Sequence, residues 1–381
     1  MLPRTAAAND RTGRPRRLEV YALSLRATCV GLAAALGAGW LALACAAEAV
    51  EVVSDVAPAP SSDASGAVLE EVLVTGVQPG PGLWKVSRPA DGGEHVLWVM
   101  GQYRTLPKEM QWRSTELEAA IAASQELLDE PEVDADVGAF AGLGALPSLV
   151  GVRNNPDGKK LEDLMPIQLY ARWLALKAEY LGYDQDIERW RPIFAAFELY
   201  RKAVDRAGLT YSPVVWSVAK KSAKKHRLKI TTPAVPVKVE KPRALIKEFK
   251  EEPLDDLECF ANVLHRLDSD LVLLRARANA WATGDIDALR AMTDLNQASA
   301  CIDVLMSAPV LRERGLTELP ERLMDAWLAE AERALESNAS TVAVLPMRDI
   351  LRPDGYLERL RASGYVVHEP SGGLVIGNTG G

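Results

Sequence analysis

The chain has 381 residues, 48% of them hydrophobic and 25% charged, and carries a formal net charge of −8. That length and hydrophobic share are ample for a buried core and exclude a chain disordered throughout. The acidic balance argues against nucleic acid as the main partner, because a polyanion is repelled.

The N-terminus has a different composition. Arg4, Arg11, Arg14, Arg16, Arg17 and Arg26 precede an uncharged apolar run over residues 27–47, which ends in Ala44-Cys45-Ala46-Ala47. A basic start, an apolar middle and a small-residue end predict an export signal over 1–47, or a membrane anchor if the run is retained. Arg16-Arg17 is a twin-arginine pair, but Leu18-Glu19-Val20 after it suits that route poorly. Ala42-Leu43-Ala44-Cys45 resembles a lipobox with Ala at its first position, so Cys45 would allow a lipid anchor. The expected location is the periplasm or cell envelope, with membrane contact only through the N-terminal segment or a lipid. Cleavage near Cys45 removes six Arg against Asp10 and Glu19, which takes the charge from −8 to about −12. Of the four cysteines, only Cys259 and Cys301 lie beyond this region. An even pair in an oxidising compartment predicts a disulfide; two buried thiols are the alternative. Without nearby histidines the pair makes no zinc site.

Residues 48–66 are rich in Ala, Pro, Ser and Asp and read as a flexible spacer. A folded unit is expected over 67–370, beginning with a strand at 68–75. Residues 83–107 read LWKVSRPADGGEHVLWVMGQYRTLP. Two mostly apolar runs around Asp91-Gly92-Gly93 predict a β-hairpin, whose second strand delivers Arg104 just past its end.

A helix is expected over 115–130, with Leu117, Ile121 and Leu128 on one face and Ser114 or Thr115 as its cap. Residues 138–151 form a small-residue loop. Helices follow at 164–180, 186–207 and from 212 to 227. The last ends in Lys220, Lys221, Lys224, Lys225, His226 and Arg227, cations that complement a helix C-terminus and stay solvated. A short strand is expected at 228–230 and an extended surface connection at 233–242. The helix over 253–283 has the clearest period, in Leu257, Ala261, Leu264, Leu271, Leu274 and Ala278. Its acidic start, Glu251, Glu252, Asp255 and Asp256, reads as a solvated first turn and not a metal cluster. Gly284 ends that helix and Asp285 caps the next. Further helices are expected near 286–292, 297–306 and 320–335. The last unit is a strand at 341–345, a loop at 346–349, a helix at 353–361 and a strand at 365–367. Residues 371–381 form a Gly-rich tail without phosphate-loop spacing. Asn338-Ala339-Ser340 matches a glycosylation sequon.

Two strand-to-loop units thus stand at opposite ends of the folded chain, with a long helical stretch between them. This arrangement resembles the TraB/GumN family, which has PrgY-like and Tiki-like metallopeptidase relatives. Four features carry the resemblance over roughly residues 83–368: LWKVS, a turn and VLWVMGQYRTLP; the acidic end Leu127-Leu128-Asp129-Glu130; a helical middle with AWATGDIDAL; and NASTVAVLPMRDILRPDGYLERLRASGY at 338–365. The resemblance implies an α+β fold: a small mixed sheet built from N- and C-terminal β-units, with a large helical insert.

It also implies two Gly-x-x-His motifs and a carboxylate that bind a divalent metal and activate water for peptide hydrolysis. This sequence departs from that pattern. The first motif reads Gly101-Gln102-Tyr103-Arg104 and the second Leu345-Pro346-Met347-Arg348. Guanidinium stays protonated and offers no lone pair, so neither Arg104 nor Arg348 ligates a metal. His95, His226, His265 and His368 have no ligand spacing with one another, and His95 starts its strand about 30 Å from Arg104 along the chain. The degenerate site is therefore Gly101, Arg104, Glu130 and Arg348, with no cofactor. The two arginines either converge on Glu130 or Asp129 and replace the metal's charge, or simply face solvent. The expected function is a non-catalytic envelope protein that binds a peptide, protein or anionic ligand. The alternatives are an active metal-dependent hydrolase with a displaced site and a structural helical protein that binds a partner.

Overall fold

A computed structural model describes residues 76–90, 93–136, 146–292, 301, 304, 306 and 308–370. The export segment, Cys45, the spacer, the strand at 68–75, most of the loop at 138–151, most of the helix at 297–306 and the Gly-rich tail lie outside the described residues.

The hairpin forms as β2 (Leu83–Ala90) and β3 (Gly93–Gln102), after the short β1 (Val77–Gln78). Its strands pair antiparallel, Leu83 opposite Met100 and Ala90 opposite Gly93. Two short strands follow, β4 (Leu106–Pro107) and β5 (Gln111–Trp112), and β5 pairs with β1. Then come α1 (Thr115–Ala122), β6 (Glu126–Leu128) and β7 (Glu132–Asp136). The expected helix at 115–130 thus stops eight residues early. Leu128 fits the helical stripe, yet it and Leu127 are fully buried as a strand beside Val342 and Ala343. Parallel pairing overrides a helical period that only local spacing supported. Ser114 makes no cap to the backbone; its hydroxyl donates to Glu118 instead.

The helical insert contains α2 (Ile167–Tyr180), α3 (Pro192–Arg206), β8 (Leu209–Thr210) and α4 (Val214–His226). β9 (Lys229–Thr231) joins the main sheet beside β6. The stretch read as a surface connection holds β10 (Ala234–Lys238), parallel to β7, and is followed by α5 (Pro242–Glu251). α6 (Leu257–Thr283) runs 27 residues and ends at Gly284 in the left-handed conformation, φ 76°. Asp285 caps α7 (Ile286–Ala291) by accepting from the Ala288 N–H. At the start of α6, Asp256 is not solvated. It is buried and accepts the Ile193 N–H of α3 at 2.9 Å, so it ties two helices together.

The C-terminal unit adds α8 (Pro309–Arg312), α9 (Leu319–Ser337), β11 (Ser340–Pro346), α10 (Met347–Leu351), α11 (Tyr356–Ala362) and β12 (Val366–His368). The loop expected at 346–349 is largely helical, and the next helix starts at Tyr356, not near 353. The Asn338 amide donates to Glu126 and Thr341, so the sequon's acceptor nitrogen is engaged inside the fold.

The main sheet runs β12-β2-β3-β11-β6-β9, with β12, β2 and β3 antiparallel and β3, β11, β6 and β9 parallel. β11 is central, and its run Thr341–Leu345 is buried on both faces, as a covered parallel strand requires. α1 and α4 connect strands outward from β3 to β9, while α9 returns the chain to β11. Right-handed crossovers then put α1 and α4 on one face and α9 on the other. Fold class is therefore α+β with a small mixed sheet drawn from both ends of the chain. In the insert, α3 packs against α6, and Trp173 meets Phe260 at 5.5 Å. Cys259 and Cys301 are disulfide-bonded, with Cα atoms 5.3 Å apart, in a small cluster with Ile193.

Candidate functional site

The parallel strands β3, β11 and β6 end at one edge of the sheet. Gly101 lies opposite Leu345 and Gln102 opposite Pro346, while β6 stops at Leu128 beside Ala343. Residues that follow these strands are therefore delivered together, at the carboxyl edge where open α/β sheets place ligands. Arg104 follows β3, Asp129 and Glu130 follow β6, and Arg348 follows β11.

Gly101 makes the edge compact. A Cβ there would press on the Met347 thioether, with Sδ 2.8 Å away, and on the Trp84 ring at 3.3 Å. The Gly101 carbonyl accepts the buried Trp281 Nε1–H of α6 at 2.9 Å, which pins the strand end to the longest helix. Tyr103 turns inward, hydrogen-bonds Arg277 of α6, and has its phenol pushed up by burial. Arg104 therefore leaves the strand on the other side.

Glu130 is the hub. Its Oε2 pairs with Arg104 Nη2 at 2.5 Å, and its Oε1 accepts from Gln102 Nε2. Gln102 is 4% exposed, and its own Oε1 has no hydrogen-bond partner among the described residues. The Gln102–Glu130 bond passes over the end of β11 and joins its two neighbours. Asp129 sits beside it and accepts the Glu130 N–H at 2.8 Å. Burial pushes the Asp129 carboxyl up to about 7; the Glu130 charge adds to this, while that N–H and Lys220 oppose it.

Arg348 takes a different carboxylate. Its Nε lies 3.2 Å from Asp349 Oδ1, which Arg352 approaches at 3.7 Å. The two arginines share no carboxylate among the described residues: Arg104 takes Glu130, as expected, while Arg348 takes Asp349 and not Glu130 or Asp129. Tyr356 feels the charges of both halves. Its phenol is buried, stacks edge-on with Trp327 at 4.7 Å, and is pushed up by burial and by the Asp349 and Glu130 charges. Gly355 makes that turn possible. A Cβ there would overlap the Asp349 carbonyl and lie 3.1 Å from the Arg352 carbonyl.

Of the residues expected at the site, Arg104 and Glu130 pair, Gly101 lies at the β3 end and Arg348 pairs with Asp349; Gln102, Asp349, Tyr356 and Trp281 were not expected there. Asp349 adjoins Arg348 in sequence, and Gln102 lies inside the first motif, so both had a local signal. Trp281 and Tyr356 reach the site only through packing.

The donor set does not fit a divalent metal. Guanidinium groups stand at both histidine positions, and Glu130 already serves Arg104 and Gln102. Among the described residues no group of three His, Cys, Asp or Glu side chains could hold an ion. His95 lies far from this edge, with Nδ1 2.7 Å from the Leu335 carbonyl.

An α+β sheet whose terminal units bring two strand-to-loop motifs onto neighbouring parallel strands defines the class. The chain belongs to the TraB/PrgY/gumN family, whose model matches residues 82–369. Comparison with curated proteins and with solved structures gave no match.

Proposed function

We propose that this chain is an exported, non-catalytic member of its family, which binds an anionic ligand such as a peptide carboxylate or a phosphate at the carboxyl edge of the main sheet. The observation that carries this reading is the Arg104–Glu130 pair. The resemblance would give that carboxylate to a metal, and here a guanidinium holds it. Both arginine side chains remain open, Arg104 44% and Arg348 50% exposed, so each keeps N–H donors toward solvent. A half-exposed guanidinium can add a bidentate anion at little desolvation cost. The test is a peptide-hydrolysis assay with and without added divalent metal, on the parent and on Arg104→His/Arg348→His. Activity gained only by the variant supports a degenerate site. Activity in the parent refutes it.

A second reading has one observation behind it. Asp129, with its carboxyl near 7, is poised for general acid–base work, and it adjoins Glu130. It would support a displaced hydrolase site. Under that reading Asp129→Asn abolishes a hydrolytic activity that the parent possesses.

A further inference from the structure

The strongest unused feature of the described surface is the outer face of α4. Lys220, Lys221, Lys224, Lys225, His226 and Arg227 are all exposed, and the exposed Lys229 follows on β9. Lys221, Lys224 and Lys225 form no ion pair among the described residues. Lys220 lies 6.0 Å from the centre of the Trp216 ring and feels Asp129. Among the described residues, Lys229 is the one cation of this group in an ion pair, with Glu126.

The helix dipole accounts for part of this. Its favourable effect on cations falls off within the last turn, which holds Lys224, Lys225 and His226. Lys220 and Lys221 sit a turn earlier, yet continue the same face. Like charges at these spacings repel one another and weaken the helix. The chain as a whole is acidic, at −8. A concentrated cationic face on an acidic protein is complementary to an anionic partner.

The chemistry of the face selects among polyanions. It is built from lysine ammonium groups, compact point charges suited to a diffuse anionic surface and not to bidentate recognition of single phosphates. Aromatic residues do not alternate with the lysines. Trp216 is the aromatic residue of α4, and it is half-buried at one end, so there is no platform on which bases would stack. Clusters of four or more lysines of this kind bind anionic phospholipid headgroups. The uncharged run at 27–47 separately points the chain toward a bilayer.

We infer that the outer face of α4, through Lys220, Lys221, Lys224 and Lys225, docks the folded body onto an anionic phospholipid surface. The lysines lie along the membrane, Trp216 sits at the headgroup level, and the acidic remainder faces away. Of these lysines, Lys220 also acts on Asp129 at the sheet edge, whereas Lys221, Lys224 and Lys225 belong to the docking face alone.

The experiment uses the full chain and flotation with phosphatidylcholine vesicles, with and without phosphatidylglycerol, at low and physiological salt. The N-terminus carries six arginines and itself favours phosphatidylglycerol, so the share of the lysines is the difference between the parent and the lysine variants on the same vesicles. The expected result is a phosphatidylglycerol-dependent, salt-sensitive increment that falls about tenfold or more in K220E/K221E/K224E/K225E. The neutral set K220Q/K221Q/K224Q/K225Q, checked for an unchanged melting profile, should give a smaller loss. Equal binding to both vesicle types overturns the inference, as does a charge-reversed variant that floats like the parent. Retention of a single-stranded oligonucleotide by the same lysines at salt that releases the vesicles would assign the face to nucleic acid and overturn it as well.

Discussion

Replacing Glu126 by Gln tests how the sheet is held together at the edge opposite the site. Glu126 opens β6, and its side chain is 3% exposed. Its carboxylate accepts from Arg333 at 2.7 Å, Asn338 at 2.9 Å, Lys229 at 3.0 Å and the Thr231 hydroxyl. One carboxylate thus joins β6, β9, α9 and the start of β11. Burial alone would raise its pKa, but these four donors outweigh burial and bring it from 4.5 down to about 2. That preference for the charged form sets a ceiling of about 3 kcal/mol. Lys229 and Arg333 are 61% and 37% exposed, so solvent screens part of their share. Glu126→Gln should therefore cost about 2 kcal/mol at pH 7. Because the folded value is depressed, this stability is present above pH 4.5 and is lost as pH falls toward 2. Urea unfolding of parent and variant, repeated between pH 7 and pH 2, reads both effects. A loss under about 0.5 kcal/mol at pH 7, or a gap that does not narrow with acid, would refute the reasoning.

Three further outcomes follow from the same geometry. Gly355→Ala has no room to relax, because the obstructing atoms are backbone carbonyls of residues 349 and 352. It should cost about 3 kcal/mol or more in urea unfolding, whereas Gly101→Ala, which meets the flexible end of Met347, should cost less. Replacing Cys259 and Cys301 together by Ser opens a loop with a sequence separation of 42 and should lower stability by about 2–4 kcal/mol. A thiol titration of the unfolded parent before and after reduction checks the bond itself. Asp129, raised to about 7, contributes stability fully below the unfolded 3.8 and loses it as pH rises through 7. Asp129→Asn should therefore gain about 1–3 kcal/mol relative to the parent on going from pH 5 to pH 8, and an unchanged difference would contradict the burial argument.

Elements with a strong local signal were legible in the sequence. The hairpin followed from two mostly apolar runs around Asp91-Gly92-Gly93, β11 from its β-branched run, and α6 from a sustained period ending in glycine. The α1–β6 boundary was not legible. Leu128 continues the stripe of Leu117 and Ile121, and only pairing with β11 and β9 turns it into a strand. Glu126 was invisible for a related reason. Its partners lie 103 to 212 residues away, beyond any local pattern. Asp256 looked like one more first-turn carboxylate until packing against α3 buried it. At the site, the loss of both histidines was readable residue by residue. Glu130 was legible as a partner for Arg104, but the pairing of Arg348 with its neighbour Asp349 instead of Glu130 or Asp129 was not, because it depends on how the strand ends align.

The most direct measurement is the metal content of the purified full chain, read by elemental analysis after incubation with zinc, manganese or cobalt, beside the Arg104→His/Arg348→His variant. With Glu130 held by Arg104 and no imidazole at either position, the parent should retain no stoichiometric metal, and the variant should retain more. One equivalent of metal on the parent, lost when Glu130 is changed to Gln, would contradict the account.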